Sequence, residues 1–433
     1  MNGKELLDRI NSSNASELFS KLYGKSEAES ARQRYRRLVE LHEPDSELRV
    51  FSVPGRTELG GNHTDHNRGK VLAASIHLDA VAVVEARRDK QVFFHSTAYP
   101  DLIVDLSELS LREEERGKTA ALVRGIAAEF ANEGTVPGGF TINVDSRVLP
   151  GSGLSSSAVI EVLLAKVFDN LYSGGKRSAL ELAKIGQRAE NLYFGKPCGL
   201  MDQTACASGG AIAIDFADSQ SPLVRGIHFD PDSAGIALCI VDTKGSHCDL
   251  TPAYAAIPKE MKAVAAFFGK SVLRELDEES FLKQLLGLRK SAGDRAVLRA
   301  LHFFEENRRV DAMFEALEDK AVNRFLTLVN ESGDSSRELL QNIHSPENPA
   351  EQSLGLALAL TKKFFSESGC VGACNGKPFG ACRVHGGGFA GTIQAYIPFD
   401  KLEDYRELME GIFGKDALTV LRIRQFGAEE LTF

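Results

Sequence analysis

Residues 148–165 read V-L-P-G-S-G-L-S-S-S-A-V-I-E-V-L-L-A, a glycine- and serine-rich loop that runs into an apolar stretch. A β-type run over residues 140–144 precedes the loop, and apolar residues after it recur with a helical period. Glycine lets the backbone approach a ligand closely, and a helix start offers free N–H groups and a positive dipole end. The sequence therefore predicts an anion site, in which consecutive serines suit phosphate oxygens or Mg²⁺. An ordinary glycine-serine loop that caps a helix is the alternative.

Bulk composition narrows the class of protein. The chain has 433 residues, of which 43% are hydrophobic and 26% charged, as in globular proteins with room for two or three domains. A net charge of -9 argues against general nucleic-acid binding. The sequence contains no uninterrupted run of 18 apolar residues, so we expect no membrane span. Seven cysteines, an odd number, favour reduced thiols, and the polar N-terminus is unlike a signal peptide. We therefore expect a cytoplasmic protein.

Strands and helices follow one another without a regular βαβ alternation, which predicts an α+β fold. Residues 4–25 and 28–41 have the apolar spacing of two surface helices, expected to be a packing extension. A short strand over residues 50–53 leads into residues 54–67, where polar side chains and glycines predict a functional loop. The polar residues 229–233 mark a plausible domain boundary.

Residues 54–69, P-G-R-T-E-L-G-G-N-H-T-D-H-N-R-G, resemble the signature of the galactokinases of the GHMP small-molecule kinase family, and three further segments resemble the same family. Residues 150–158, P-G-S-G-L-S-S-S-A, are similar to the family's phosphate-binding motif, and residues 383–391, R-V-H-G-G-G-F-A-G, to its C-terminal glycine motif. Residues 197–203, P-C-G-L-M-D-Q, match the segment that carries the family's catalytic aspartate. A single glycine-rich loop is weak evidence, whereas four segments in family order are specific.

The resemblance implies a two-domain GHMP kinase fold. Residues 1–230 would form a ribosomal S5-like N-terminal domain with a helical extension, and residues 231–433 a ferredoxin-like C-terminal domain. ATP and a sugar would bind in the cleft between them, with Mg²⁺ as the metal. We expect no nucleic-acid or membrane partner and a monomeric protein.

The resemblance also implies roles for single residues. Asp202 would take the proton from the sugar's anomeric hydroxyl, and Arg56 would balance charge beside it and beside the γ-phosphate. The Mg²⁺ ligands would be Ser157 and Glu190. The predicted sugar contacts are Asn62, His63, Asp65, Gly199 and Tyr254. The predicted ATP contacts are Pro150, Gly151, Ser152, Gly153, Leu154, Ser155, Ser156, Ser157 and Ala158.

Three departures from the family pattern bear on specificity. Asn62 stands where galactokinases usually carry glutamate, and Thr119 falls where many relatives place a tryptophan near the adenine. His385 and Ala390 replace the usual threonine and glycine of the third motif.

The expected function is the transfer of the ATP γ-phosphate to the anomeric hydroxyl of galactose. The alternatives are a kinase for an N-acetylgalactosamine-, arabinose- or galacturonate-type sugar, and a non-catalytic sensor that binds sugar and ATP.

Overall fold

Two β-sheets organise the chain in the computed structural model, which describes residues 1–97, 99–148, 153–245, 250–344, 348–369 and 379–433. The strands are β1 (Leu48–Gly60), β2 (Lys70–Ala86), β3 (Gln91–Ser96), β4 (Tyr99–Asp105), β5 (Phe140–Ser146), β6 (Ala211–Asp215), β7 (Leu223–Ile227), β8 (Ile236–Asp242), β9 (Ala381–His385), β10 (Thr392–Pro398), β11 (Leu418–Leu421) and β12 (Glu429–Leu431). The helices are α1 (Gly3–Ile10), α2 (Ser13–Tyr23), α3 (Ala28–Val39), α4 (Thr119–Asn132), α5 (Ser156–Tyr172), α6 (Ala179–Ala189), α7 (Met201–Ser208), α8 (Thr251–Phe267), α9 (Glu278–Lys283), α10 (Leu285–Ser291), α11 (Asp294–Glu318), α12 (Val322–Ser335), α13 (Ser353–Glu367) and α14 (Leu402–Phe413). The predicted α+β class is confirmed. In the described part of the chain, no helix has both the length and the apolar character that crossing a bilayer requires.

The first sheet has the strand order β12-β1-β2-β5-β3-β4, and β6 also pairs with β2 and carries β7 beside it. Strand β1 runs antiparallel to β2, with register shifts between Pro54 and Arg56 and between Glu58 and Gly60. Helices α5, α7, α11 and α12 all contact β1. Nearly every side chain of β1 is therefore buried, and its polar side chains must find partners inside the protein.

The structure corrects the prediction of a loop over residues 54–67. Strand β1 continues to Gly60, because its backbone keeps pairing with β2. The polar side chains of this half of the strand are buried against other polar groups, so a hydropathy pattern cannot show that it is a strand. Arg56 and Glu58 consequently lie on a rigid strand rather than on a flexible segment.

The second sheet has the strand order β11-β8-β10-β9. One face of β8 (Ile236, Leu238, Ile240) joins the large core under the first sheet, whereas the other face (Ala237, Cys239, Val241) packs in a separate core with α13 and α14. The alternation is the period of two expected of a strand covered on both sides. Strand β12 returns to pair with β1, so the end of the chain belongs to the first sheet. The division after residue 230 stays a prediction.

Three helices, rather than two, cover the outside of β1 and β2. The predicted helix over residues 4–25 is interrupted because Ser12 caps a new helix, its side chain accepting the Ala15 N–H. Apolar side chains of these helices pack against β1 and β2, among them Leu6, Phe19 and Tyr35. The expectation of a packing extension agrees with this arrangement.

Asp79, on β2, ties the helical extension to the sheet. Its fully buried carboxylate accepts hydrogen bonds from Arg34 Nη1 at 2.6 Å, Arg424 Nη1 at 2.9 Å and Tyr23 Oη at 2.6 Å, and from the Ser52 hydroxyl. Burial by itself raises the pKa of Asp79, but the two arginines outweigh it and hold the pKa below its ordinary value. The folded state therefore keeps this carboxylate ionised.

We expect Asp79→Asn to lower the free energy of unfolding at pH 7 by about 3–5 kcal/mol, because it leaves two buried arginines without their counter-charge. The pKa of Asp79 is lower in the folded than in the unfolded state. Ionised Asp79 therefore contributes its full stabilisation above the unfolded pKa of about 3.9, and this contribution is lost as pH falls through the folded pKa. The difference between parent and variant should narrow below about pH 4. Urea unfolding at several pH values measures it. Asp45→Ala, which removes an exposed carboxylate paired with Lys4, is the control and should change stability by under about 1 kcal/mol.

Candidate active site

An ion pair between Arg56 on β1 and Asp202 in the first turn of α7 lies at the centre of the site. Arg56 Nε and Nη2 donate to the two carboxylate oxygens at 2.8 and 2.9 Å, a bidentate arrangement. The Arg56 Nη1 group donates to the Gly153 carbonyl, and the Ser155 hydroxyl donates to Asp202. Burial raises the pKa of Asp202, but the charge of Arg56 outweighs it, and the pKa is lowered. Asp202 is thus an ionised carboxylate that can accept a proton.

The serine-rich loop meets this ion pair at the start of α5. Residues 149–152 lie outside the described residues, and with them the predicted contacts Pro150, Gly151 and Ser152. Gly153 and Ser155 both have positive φ, at 72° and 65°, which turns the chain sharply into the helix. Leu154 and Ala158 are buried, so they support the loop from beneath. The three serines instead face a cavity of about 260 Å³, here called the serine cavity, whose lining includes Ser155, Ser156, Ser157, Arg56, Asp202 and Tyr254.

A second cavity of about 280 Å³ adjoins the first. This histidine cavity is lined by side chains that can bond hydroxyl groups and by the turn before α7, including His63, Asp65, His66, Gly199 and Met201. The two cavities share lining residues, namely Arg56, Lys196, Asp202, Gly386 and Gly387. The ionised Asp202 consequently lies where the two cavities meet.

His63 and Asp65 are held in fixed positions in the histidine cavity. The His63 ring nitrogen Nε2 lies 2.9 Å from the Gly387 carbonyl, to which it donates when it carries the proton. Burial, reinforced by His66, lowers the pKa of His63 to about 4, so its ring is neutral at physiological pH. Asp65 lies so close to Gly199 that a Cβ there would collide with its carboxylate. Gly199 therefore lets the Asp65 carboxylate reach the turn before α7.

Asn62 forms its hydrogen bonds within the protein. Its Nδ2 donates to Glu58 Oε1 at 3.1 Å and to the Gly386 carbonyl at 2.7 Å, while its Oδ1 accepts from Asn342 Nδ2 at 2.8 Å. Both amide hydrogens are used, and the side chain is buried. Asn62 lines the histidine cavity, but in this structure it mainly holds the turn at residues 386–388 in place.

Glu58 and Arg383 were not singled out from the sequence. They form a buried ion pair from β1 to β9, although burial still raises the pKa of Glu58 above its ordinary value. Their separation in the chain, 325 positions, exceeds anything a local motif can signal. A charged residue inside a buried strand needs a charged partner, so Glu58 would indicate such a partner only once residues 54–60 are known to form a strand.

The third glycine motif closes the cleft from the second sheet. His385 lies between Thr57 Oγ1 at 3.1 Å and Thr392 Oγ1 at 3.0 Å, and burial holds its pKa well below the ordinary value. Tyr254 Oη donates to the Gly388 carbonyl at 2.7 Å. The structure places Tyr254 at the serine cavity and not among the lining residues of the histidine cavity, so its predicted contact with sugar stays a prediction.

The predicted metal ligands are Ser157, in the first turn of α5, and Glu190. Glu190, in a π-helical turn (Glu190–Phe194) after α6, is almost fully buried, and Lys196 Nζ lies 3.2 Å from its Oε1. Gln203 Nε2 donates to both Glu190 Oε2, at 3.1 Å, and Glu161 Oε2, at 2.9 Å. Burial, with the nearby charge of Glu190, raises the pKa of Glu161 well above its ordinary value. Within the described ranges, no three His, Cys, Asp or Glu side chains are grouped closely enough to hold a metal by themselves.

Comparison with solved structures defines the class of protein. Residues 121–210 match the family model described as "GHMP kinases N terminal domain". The fold resembles that of Lactococcus lactis galactokinase complexed with galactose, with a TM-score of 0.74, 23% identity, and coverage of 97% of this chain and 99% of that one. It also resembles Methanococcus jannaschii mevalonate kinase, with a TM-score of 0.60, 15% identity, and coverage of 87% and 98%. The chain therefore has the two-domain α+β fold of the GHMP kinases, as predicted.

Sequence relatives give the particular family. Residues 40–86 match the "Galactokinase galactose-binding signature". The galactokinase of Streptomyces coelicolor is 30% identical over 411 residues, covering 92% of this chain and 96% of the relative. The galactokinase of Mannheimia succiniciproducens is 31% identical over 374 residues, covering 86% and 90%. The chain belongs to the galactokinase family.

The bonds of Asn62 generate a prediction. Asn62→Glu replaces the two amide donors with carboxylate oxygens that face Glu58 and the Gly386 carbonyl, so we expect it to lower the free energy of unfolding by about 1–3 kcal/mol. Displacement of the turn at residues 386–388 should also raise KM for the sugar. Denaturant unfolding and steady-state kinetics measure the two effects, with Asn14→Glu at an exposed position of α2 as the control. A variant that is as stable as the parent and has a lower KM would show that Asn62 faces the sugar instead.

Proposed function

We propose that this protein transfers the γ-phosphate of ATP to the anomeric hydroxyl of galactose, producing galactose 1-phosphate and ADP. The observation that carries the proposal is the ionised Asp202 at the junction of two cavities, one bordered by a helix start with three serines and the other by His63 and Asp65. The family relationship supports the same reaction, since the relatives are galactokinases and one solved neighbour is a complex with galactose. A sensor that only binds sugar and ATP has no need of an ionised base at this position.

The residues of the serine cavity suit the nucleotide phosphates. The first turn of α5 offers backbone N–H groups and a positive dipole end, and Ser156 and Ser157 add hydroxyl donors beside Ser155, whose hydroxyl donates to Asp202. Together with Gly153, Leu154 and Ala158, and with the predicted contacts Pro150, Gly151 and Ser152, they make up the proposed ATP-binding loop. Phosphoryl transfer depends mainly on such positioning and on charge stabilisation.

The residues around the histidine cavity suit the sugar. Asp65 can accept hydrogen bonds from hydroxyl groups, and the neutral His63 ring, whose Nε2 donates to the Gly387 carbonyl, can accept one at Nδ1. Asp202 takes the proton of the anomeric hydroxyl as the new O–P bond forms and the bond from the γ-phosphorus to the bridging oxygen of ADP breaks. Arg56 is the positioning partner, because it fixes both oxygens of Asp202 and keeps the carboxylate ionised.

Mg²⁺ binding by Glu190 and Ser157 is part of the proposal. A carboxylate and a hydroxyl are the hard oxygen ligands that Mg²⁺ takes together with nucleotide phosphates. Two observations fit a cation here: an ammonium group already lies against Glu190, and the buried Oε1 of Glu161 has no hydrogen-bond partner among the described residues. The bound ion would neutralise phosphate charge during transfer.

We also propose a monomeric, cytoplasmic protein with domains at residues 1–230 and 231–433. Free thiols in the described part of the chain, on Cys198, Cys206, Cys239 and Cys382, support a reducing compartment. Large exposed apolar side chains are distributed over many elements, such as Leu41, Leu223 and Phe399, which supports the monomer.

Measurement of ADP release across a panel of free sugars tests the function. We expect the highest kcat/KM for galactose and at least tenfold lower values for N-acetylgalactosamine, arabinose and galacturonate. A chelator should abolish turnover, and added Mg²⁺ should restore it. A tenfold preference for another sugar of the panel would contradict galactose as the substrate, and saturable binding of sugar and ATP without ADP release would identify a sensor.

Asp202→Asn tests the proposed base. The amide cannot take the hydroxyl proton, and loss of a general base typically lowers turnover by about 10²–10⁴-fold. We expect kcat to fall by that factor while calorimetry still detects galactose binding. Asp218→Asn, which changes an exposed aspartate in the same way, should leave kcat unchanged. Turnover of the Asp202 variant within threefold of the parent would rule out this role.

A further inference from the structure

Lys196 lies at the junction of the two cavities, and no predicted role includes it. It is one of the residues that line both the serine cavity and the histidine cavity. Three of these shared residues carry charge, namely Arg56, Asp202 and Lys196. A chemical group transferred between ligands in the two cavities would move past these three charged side chains.

Arg56 is held in place by its own hydrogen bonds, which use three of its five N–H donors. Its Nε and Nη2 are committed to Asp202, and its Nη1 donates to the Gly153 carbonyl. Lys196 differs, because its ammonium has three N–H donors and its contact in the structure is Glu190 Oε1 at 3.2 Å. Its side chain is 61% exposed, so the ammonium can move within the cleft. Among the described residues shared by the cavities, Lys196 is the cation whose charged group is exposed and can move.

The backbone directs Lys196 toward the cleft. The π-helical turn (Glu190–Phe194) ends at Gly195, whose φ of 86° reverses the chain direction. The N–H groups of Gly195 and Lys196 both donate to the Glu190 carbonyl, at 2.9 and 3.2 Å. Pro197, with its restricted φ, follows directly. The origin of the side chain is thus fixed, whereas its ammonium end is free.

We propose that Lys196 is a catalytic residue whose ammonium binds the phosphoryl group during transfer from ATP to the sugar. This inference rests on the proposed function. The O–P bond to the sugar forms as the bond to the bridging oxygen of ADP breaks, and the hydroxyl proton goes to Asp202. Lys196 keeps its own protons and donates hydrogen bonds to the equatorial oxygens of the phosphoryl group, where charge is spread in the transition state. The competing explanation is that Lys196 serves only to neutralise Glu190.

Lys196→Met and Lys196→Arg separate these explanations in turnover. We expect the methionine variant to lose about 10²-fold in kcat, the usual effect of removing one donor to developing charge, with KM for galactose within twofold of the parent. The arginine variant keeps the charge and should recover part of the loss. Lys259→Met, which removes an exposed lysine of α8, is the matched control and should behave as the parent. Equal thermal unfolding of all variants excludes misfolding.

Nucleotide binding without turnover gives the decisive readout. Calorimetry with a non-hydrolysable ATP analogue and with ADP, each with Mg²⁺, should show that Lys196→Met weakens the analogue about tenfold and ADP less than twofold. If Lys196→Met weakens the binding of both nucleotides equally, or weakens the binding of neither, the proposal is overturned even where kcat falls. The loss of turnover then acts through Glu190. A kcat within twofold of the parent also overturns it. If the parent phosphorylates no sugar but the variant loses the preference for the analogue, the proposed function fails while the contact between Lys196 and the γ-phosphate stands.

Discussion

The bidentate ion pair between Arg56 and Asp202 joins the parts of the site into one unit. A buried charge is costly unless it is paired and hydrogen-bonded, and here every nitrogen of the guanidinium has an acceptor. The same pair attaches strand β1 to α7 through Asp202 and to the serine-rich loop through Gly153 and Ser155. The Asp202 carboxylate is therefore ionised and oriented before any substrate binds. Such preorganisation leaves little to rearrange at the moment of reaction.

The second sheet completes this unit through side chains that reach β1. Arg383 on β9 pairs with Glu58, His385 contacts Thr57, and Gln394 Nε2 on β10 donates to Thr57 Oγ1 at 2.7 Å. These contacts hold the turn at residues 386–388 over the cleft, and Asn62 donates to it directly. A loose turn would leave the two cavities without a fixed common wall. The polar residues of β1 thus define the spacing between the sheets at the site.

Local patterns and the family resemblance were enough to predict candidate functional segments but not to describe their structure. The serine-rich loop before α5 and the turn before α7 follow from glycine placement and helical period, and the structure brings Arg56, Asp202 and the serines together. The strand character of residues 54–60 could not be read, because the polar side chains that obscure it are satisfied by partners hundreds of positions away. Asn62 shows the same limit. Its identity suggested an altered sugar contact, whereas its bonds to Glu58, Gly386 and Asn342 can be seen only in the folded chain.

Comparison of Asp202 with other carboxylates of the protein shows why it is suited to be the base. Glu58 and Glu161 have pKa values raised by burial, since Glu58 has one arginine partner and Glu161 faces another acid. Asp79 is ionised by two arginines, but its carboxylate is fully buried and can meet no ligand. Asp202 combines a lowered pKa with a side chain that is 34% exposed to the cleft. A general base needs both properties, because it must be ionised and must reach the hydroxyl group whose proton it takes.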